Sequence, residues 1–274
     1  MNKDTNPYRP IKTEVLEVIT ESPTIKTLKF KPKEQITFET GQFIELTIPG
    51  VGEAPFTPSS RPSVRNMMEV SVMKAGKVTD KVHQLKKGDV IGVRGPYGKG
   101  YPLDDFKGKE VLVLGGGVGL APLRSLLYTL FDRIDDFKKI YIRFGAKTPT
   151  DIIYKKEVEE WAQREDLDFQ ITVDEGDKDW KGHVGLVTTI LDGMALQPSE
   201  TIAIVCGPPI MMKFATLKLL ELGFKDENIY LSMEKNMSCG IGKCGHCRIG
   251  TYYACKDGPV FTYDKIKDFS NIWD

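Results

Sequence analysis

Along the first hundred residues the apolar positions alternate instead of recurring at helical spacing. Residues 11–19 (IKTEVLEVI) and 24–30 (TIKTLKF) place apolar side chains at every second position, as strands with one buried face do. Residues 43–48 (FIELTI), 68–73 (MEVSVM) and 90–93 (VIGV) are three more such runs. Gly, Pro, Asp and Asn separate them, and only residues 80–85 read as a brief helix. Short strands with turn signals between them predict a small antiparallel β-barrel.

From about Lys107 the pattern changes. Residues 110–114 (EVLVL) form a continuous apolar run, followed by a glycine-rich turn and an apolar helix at 123–131. Runs at 140–144, 169–173, 202–206 and 229–231 read as further buried strands, with helical segments predicted at 154–163, 186–191 and 210–222. Alternating strands and helices predict a doubly wound parallel sheet with helices on both faces. The expected division is a barrel domain over 1–106, an α/β domain over 107–231, and a small cysteine-bearing module over 232–274.

The bulk numbers narrow the class. A length of 274 residues, 41% of them hydrophobic and 9% aromatic, suits two globular domains with an appendage. A formal net charge of zero argues against a nucleic-acid or anionic-membrane surface. No apolar run approaches the roughly 20 residues of a spanning helix. The opening residues, MNKDTNP, lack the apolar core of a signal peptide, so a cytoplasmic protein is expected.

The candidate chemistry is concentrated near the end. Four of the five cysteines, Cys239, Cys244, Cys247 and Cys255, are spaced C-x4-C-x2-C-x7-C. Thiolates at such short intervals point to metal ligation. The first three match the C-x4-C-x2-C run that wraps a [2Fe–2S] cluster in plant-type ferredoxins, although the fourth cysteine comes sooner here. Gly240, Gly242 and Gly245 lie between the ligands, where they let the backbone turn and bring N–H groups near sulfur. Structural zinc favours two separated C-x2-C knuckles, and disulfides suit an oxidising compartment; both fit less well.

Other stretches have two readings each. Residues 52–60 (GEAPFTPSS) suit the edge of a flat ring, but are also an ordinary Pro/Ser loop in composition. In 74–79 (KAGKVT), Thr79 is a candidate N-cap with free N–H groups behind it for a phosphate, though many helices begin this way. In 94–102 (RGPYGKGYP), Tyr97 and Tyr101 either stack on an adenine or cover the barrel end. Residues 115–122 (GGGVGLAP) have the strand–turn–helix context of a phosphate cradle without the G-x-G-x-x-G spacing. Cys206, in 206–212 (CGPPIMM) at the carboxyl end of a strand, is equally a small core residue or a nicotinamide contact. His83, His183 and His246 are scattered and read as structural or surface residues, with His246 a candidate to tune the cluster; no Ser/His/Asp or paired-carboxylate constellation is present.

Barrel, nucleotide domain and late cysteine run, in that order and with these motifs, resemble the ferredoxin–NADP⁺ reductase superfamily. The likeness is to its branch of electron-transfer subunits, namely the gamma subunits of cytoplasmic sulfhydrogenases, the corresponding subunit of anaerobic sulfite reductase and, more distantly, that of dihydroorotate dehydrogenase. The motifs run from about residue 41 to 263. The resemblance implies FAD held by Pro55, Phe56, Thr57 and Ser59 at its ring and by Lys74, Gly76, Lys77, Val78 and Thr79 near its pyrophosphate. It implies NAD(P)H phosphates at Gly117, Gly119, Leu120, Ala121 and Pro122, with the nicotinamide beside Cys206, Gly207, Pro208 and Met211, Cys206 being the candidate catalytic residue. The four late cysteines would hold the cluster. The superfamily's Arg-x-Tyr/Phe-Ser motif is not matched, since Glu53 or Ala54 stands at the arginine's place; Arg61 and Lys74 are candidates for that charge. Lys147 and Arg143 are candidates for a 2′-phosphate.

The implied function is an NAD(P)H-dependent electron-transfer (diaphorase) subunit of a redox complex such as a hydrogenase or a sulfite or sulfur reductase. Its electrons pass between nicotinamide, flavin and cluster, and a partner subunit exchanges them at the cluster. Aromatics in 252–254 and 261–263, with Met237 and Lys243, either pack under the cluster or form part of a docking surface. The alternatives are a self-sufficient reductase serving a soluble acceptor such as ferredoxin, a dihydroorotate dehydrogenase-type subunit, and a nucleotide-binding regulatory protein with structural zinc.

Overall fold

The computed structural model describes residues 6–270, 272 and 273. The first region is built from β1 (Ile11–Thr20), β2 (Ile25–Pro32), β3 (Phe43–Ile48), β4 (Gly52–Phe56), β5 (Met68–Met73), α1 (Lys77–Val82) and β6 (Val90–Tyr97). The strands form one antiparallel sheet in the order β4-β3-β6-β1-β2-β5, and its edge strands β4 and β5 touch, which curls the sheet into a barrel. Alternation does what the sequence pattern requires. Ile44, Leu46 and Ile48 of β3 fill the interior with Leu28, Phe30, Val70, Val72, Ile91 and Val93. Burying such a side chain fully contributes about 1.5–3 kcal/mol each.

Three details differ from expectation. Residues 52–56, expected in a loop, form strand β4; Pro55 is tolerated because β4 lies at the sheet edge, where a missing N–H breaks no ladder. The strand expected at 90–93 continues to Tyr97. The expected helix at 80–85 begins earlier, capped at Gly76, and Thr79 is its third residue rather than its cap.

The second region alternates β7 (Glu110–Gly116), α2 (Leu120–Asp132), β8 (Lys139–Ala146), α3 (Lys155–Ala162), β9 (Leu167–Val173), β10 (His183–Val184), β11 (Thr201–Cys206), α4 (Pro209–Glu221) and β12 (Ile229–Ser232). The segment expected as a helix at 186–191 is a short 3-10 turn, Val187–Leu191. Strands β10-β9-β8-β7-β11-β12 are parallel neighbours. Both faces are covered at the sheet centre, which is why β7 and β11 read as nearly unbroken apolar runs. Val111, Val113, Ile202 and Ile204 face the core that holds the leucines of α2, while Leu112, Leu114, Ala203 and Val205 face the one that holds Met212, Ala215 and Leu219 of α4.

The last region contains the hairpin β13 (Arg248–Ile249) and β14 (Tyr252–Tyr253), then β15 (Val260–Thr262) and α5 (Tyr263–Ile266). β15 pairs antiparallel with β12, so this region adds a seventh strand to the parallel sheet. Cys239, Cys247 and Cys255 share the α4-side core with Phe43 of the barrel. Among the described residues no helix is long and apolar enough to cross a membrane.

Candidate functional site

The strand order reverses direction between β7 and β11, and open α/β sheets bind ligands at the carboxyl ends of strands at such a point. A cavity of about 420 Å³ opens there, within the range of ligand sites. The barrel lines it with Phe43, Pro55, Phe56, Thr57 and Ser71, and α1 with Thr79. The nucleotide region contributes Gly117, Gly119, Ala121, Pro122, Cys206, Gly207 and Pro208. Met233 and Met237, on the chain leading into the cysteine run, complete the wall. The lining is largely apolar with a few hydroxyls, which suits a flat aromatic group held at its polar edge.

The remaining expected residues flank this cavity. Ser59 is wholly buried; its N–H donates to Glu69 O at 2.8 Å and its carbonyl accepts from Arg124 Nη1 at 3.3 Å. Leu120 is in the core beneath α2. Met211 lies against Gly116 and Gly207. Lys74 is exposed and 4.0 Å from Asp80. At α1, the N–H groups of Ala75 and Gly76 donate to Thr79 Oγ1, both at 2.8 Å. Thr79, expected as the cap, instead accepts these two donors from the third position of the helix. The N–H groups of Lys77 and Val78 sit in the first helical turn, where no earlier carbonyl can accept them.

The turn between β7 and α2 is pressed against the end of β11. A Cβ on Gly119 would lie 2.4 Å from Cys206 O, so only glycine permits this approach. Burial pushes the Cys206 thiol up to about 12, with Ser232 opposing through a hydrogen bond. Cys206 is therefore a neutral thiol near pH 7, suited to contact rather than nucleophilic attack.

The four late cysteines are gathered by a glycine-turned loop. Lys243 N–H and Ile241 N–H point at Cys239 Sγ at 3.2 and 3.5 Å, and Gly242 N–H at Cys255 Sγ at 3.1 Å. Burial opposes ionisation of Cys239, but N–H groups of Cys244, Ile241 and Lys243 outweigh it and hold the thiol down at about 6. Cys255 is pushed up to about 12 by burial and by the Cys247 thiol beside it. Cys239 thus neighbours Cys244, and Cys255 neighbours Cys247. Among the described residues no three His, Cys, Asp or Glu side chains converge on a single-ion site. Two thiol pairs under a canopy of N–H donors suit a cluster of more than one metal, whose sulfurs accept such bonds, better than a lone tetrahedral zinc.

Sequence reasoning missed what holds this loop. Arg94 of β6 is buried, its Nε and Nη2 on the Glu53 carboxylate, Nη1 on Cys239 O at 2.9 Å and Nη2 on Ser238 O at 3.0 Å. Beside it Glu45 is fully buried with neither carboxylate oxygen hydrogen-bonded, and burial, foremost, raises its pKa to about 8. No local signal marked the pair, because Glu45 and Arg94 come opposite each other only in the register of β3 and β6.

Other candidates have partners or positions away from this cavity. Arg61 pairs with Asp132 and stacks over Tyr128, away from the cavity. Arg143 is buried and bound to Asp168 and to the Ile190 carbonyl, and Lys147 is exposed and does not line the cavity. Tyr97 covers Gly240 and Tyr101 packs on Gly41, so both aromatics close the barrel end. Tyr252 packs against Phe261 at a tilt and edge-on against Phe269, and Met237 is buried, which favours packing for these residues. His83 bonds Val72 O, His183 bonds Thr172, and His246 bonds Ser238.

Three family models match the chain: an oxidoreductase FAD-binding domain over residues 12–101, an oxidoreductase NAD-binding domain over 113–216, and the iron-sulfur cluster binding domain of dihydroorotate dehydrogenase B over 234–267. The chain is 38% identical over 286 aligned residues to the gamma subunit of sulfhydrogenase 1 of Pyrococcus furiosus, covering 100% of this chain and 98% of that one. It is 37% identical to a probable dihydroorotate dehydrogenase B (NAD(+)) electron transfer subunit of Methanocaldococcus jannaschii, covering 94% and 92%. Among solved structures, an NADH-dependent reduced ferredoxin-NADP oxidoreductase superposes with a TM-score of 0.73 at 27% identity, over 93% of this chain and 91% of that one. The cytochrome b5 reductase domain of Ulva prolifera nitrate reductase, at 22% identity and a TM-score of 0.67 over 80% and 95%, shares the fold.

Proposed function

The chain belongs to the ferredoxin–NADP⁺ reductase superfamily, in the branch of sulfhydrogenase gamma and dihydroorotate dehydrogenase B electron-transfer subunits, and on that premise we propose how its residues divide the work. It is a flavin- and iron–sulfur-dependent NAD(P)H oxidoreductase subunit, and its partner is another subunit of a redox complex. The observation that carries this is the single cavity walled at once by barrel, nucleotide region and the approach to the cysteine loop.

Pro55, Phe56 and Thr57 would hold the FAD ring, with Ser59 supporting that loop, and Lys74, Gly76, Lys77, Val78 and Thr79 would hold its pyrophosphate side. Gly117, Gly119, Ala121 and Pro122 would take the phosphates of NAD(P)H, with Leu120 anchoring the turn. Cys206, Gly207 and Pro208, backed by Met211, would border the nicotinamide. Cys239, Cys244, Cys247 and Cys255 would hold a [2Fe–2S] cluster. A bound flavin supplies the one property side chains lack, the ability to take a hydride and give up electrons singly, and the cluster carries single electrons onward.

The protein's own contribution is placement and exclusion. Phe43, Met233 and Met237 keep water from the cavity floor. The neutral Cys206 thiol presents no charge and no base, in line with a hydride transfer that needs no acid or base from the protein. N–H groups aimed at Cys239 and Cys255 favour the thiolate forms that ligate metal. Arg94 ties Ser238 and Cys239 to the barrel, so the cysteine loop keeps a set position relative to the cavity.

Anaerobically purified protein tests this. We expect flavin absorption bands bleached by NADH or NADPH, about two irons per chain, and a reduced-cluster EPR signal. Bound zinc with neither flavin bands nor that signal would sink the reading.

A further inference from the structure

Resting on that function, we infer that the face around Cys244 is a docking surface for a partner whose matching surface is acidic. Three of the four cluster cysteines, Cys239, Cys247 and Cys255, are buried, while Cys244 is exposed. Electrons leave most readily where the cluster comes closest to the surface, so the partner docks over Cys244.

The charge of that face is one-sided. Residues 238–256 contain Lys243, Arg248 and Lys256 and no Asp or Glu, in a chain whose net charge is zero. All three cations are exposed, as are His246 and Ser238. Lys256 lies against Gly242 of the loop, with its side chain 2.8 Å from where a Cβ there would be. Two other segments bring cations alongside. Tyr97 OH donates to Pro7 O, which brings exposed Tyr8 and Arg9 to the loop's edge, and Lys99 N–H donates to Gly258 O. Of the nearby acids, Glu53 pairs with Arg94 and Glu45 is buried, while Asp257, which accepts from the Tyr253 N–H, Glu234 on the cavity wall, Glu39 beside Gly100 and Asp268 next to Phe269 lie around the edge of the face and outside residues 238–256. A cationic face around the exit of a redox centre attracts an anionic surface from a distance, orients it, and repels a cationic one.

The bland alternative is that these cations are merely solvated. A second basic strip, Lys12, Lys31 and Lys33 along β1 and β2, serves as the internal comparison.

The test uses the cluster-loaded chain and two probes. First, the EPR signal of the reduced cluster is power-saturated in the presence of an anionic dysprosium chelate or of the free dysprosium cation at low ionic strength. The anion is expected to relax the signal on the order of tenfold more effectively than the cation, and Lys243→Glu/Lys256→Glu is expected to reverse that preference. Second, carbodiimide cross-linking to short poly-L-glutamate, mapped by peptide mass spectrometry, is expected to concentrate on Lys243, Lys256 and Lys99 and to vanish at high salt. Equal relaxation by both ions in wild type and variant, or cross-links spread evenly or favouring Lys12, Lys31 and Lys33, would overturn the proposal. A chain with no cluster signal at all would instead refute the function on which it rests.

Discussion

Arg94 shows how much one side chain can hold. Its guanidinium neutralises Glu53, lies beside buried Glu45, and hydrogen-bonds the carbonyls of Ser238 and Cys239. Removing it takes a donor from the Glu53 carboxylate and from two carbonyls, and takes the nearby positive charge from Glu45. Because Glu53 is only half-buried, Arg94→Ala is expected to cost about 2–4 kcal/mol, less than a fully buried pair would lose. Urea unfolding and cluster retention on gel filtration would check it; a variant as stable and as iron-rich as wild type removes Arg94 from this role. Glu45 makes a pH prediction. Its folded pKa is raised from 4.5 to about 8, so the folded chain holds that proton more tightly than the unfolded one. The stability this contributes is full below about 4.5 and is lost as pH rises through about 8. Glu45→Gln is therefore expected to flatten the decline of Tm between about pH 5 and 9, and calorimetry showing parallel curves would refute the assignment. Neither residue was legible as part of the site, because a lone Glu and a lone Arg on barrel strands look like any surface pair until the third region is folded against them.

At the scale of elements, the turn from β7 to α2 is the tightest fit. Gly119→Ala would push Cys206 and Gly207 away from the turn, since backbone atoms of both lie within 2.8 Å of the added carbon. A displacement of about 1 Å at a binding turn is expected to raise KM for the nicotinamide cofactor by about tenfold to a hundredfold while flavin stays bound. Steady-state kinetics with flavin content measured alongside would test it, and an unchanged KM would show that the turn does not meet the cofactor. Most elements were readable because each one's period matches its burial: alternation in the barrel strands, continuous apolar runs in β7 and β11. The misses share a cause. β4 carries Gly52 and Pro55, which local propensity reads as loop, and α1 starts early because Gly76 caps it and Thr79 satisfies two N–H groups. In both places long-range pairing or a side-chain bond outweighs propensity.

For the whole molecule the decisive seam joins barrel to nucleotide region. Arg124 of α2 bonds Glu69 of β5 at 2.6 Å, Glu157 of α3 at 2.7 Å and the Ser59 carbonyl, and stacks on Tyr154 at 4.3 Å. Tyr154, with its φ of 54°, hydrogen-bonds Ser71 and takes Glu21 of the barrel on its N–H. Arg124→Leu strands two part-buried carboxylates and is expected to destabilise by about 3 kcal/mol. It is also expected to split one calorimetric transition into two, as barrel and nucleotide region uncouple. A single, unshifted transition would mean that the seam is held elsewhere.

The sequence by itself determined the barrel, the parallel sheet, their order and the cysteine loop, because hydrophobic period, turn residues and ligand spacing are local properties of the chain. The motifs also put Pro55–Thr57, Gly117–Pro122 and Cys206–Pro208 forward as candidates, and the fold brings residues of all three along one cavity. What only the tertiary structure decided is the contact between regions: Arg94 on Cys239, Arg124 across the seam, β15 extending the sheet of β12, and Cys244 left outermost among the cluster cysteines. Each depends on residues far apart in the chain. Their pairing is set by how packed surfaces meet, which no local pattern encodes.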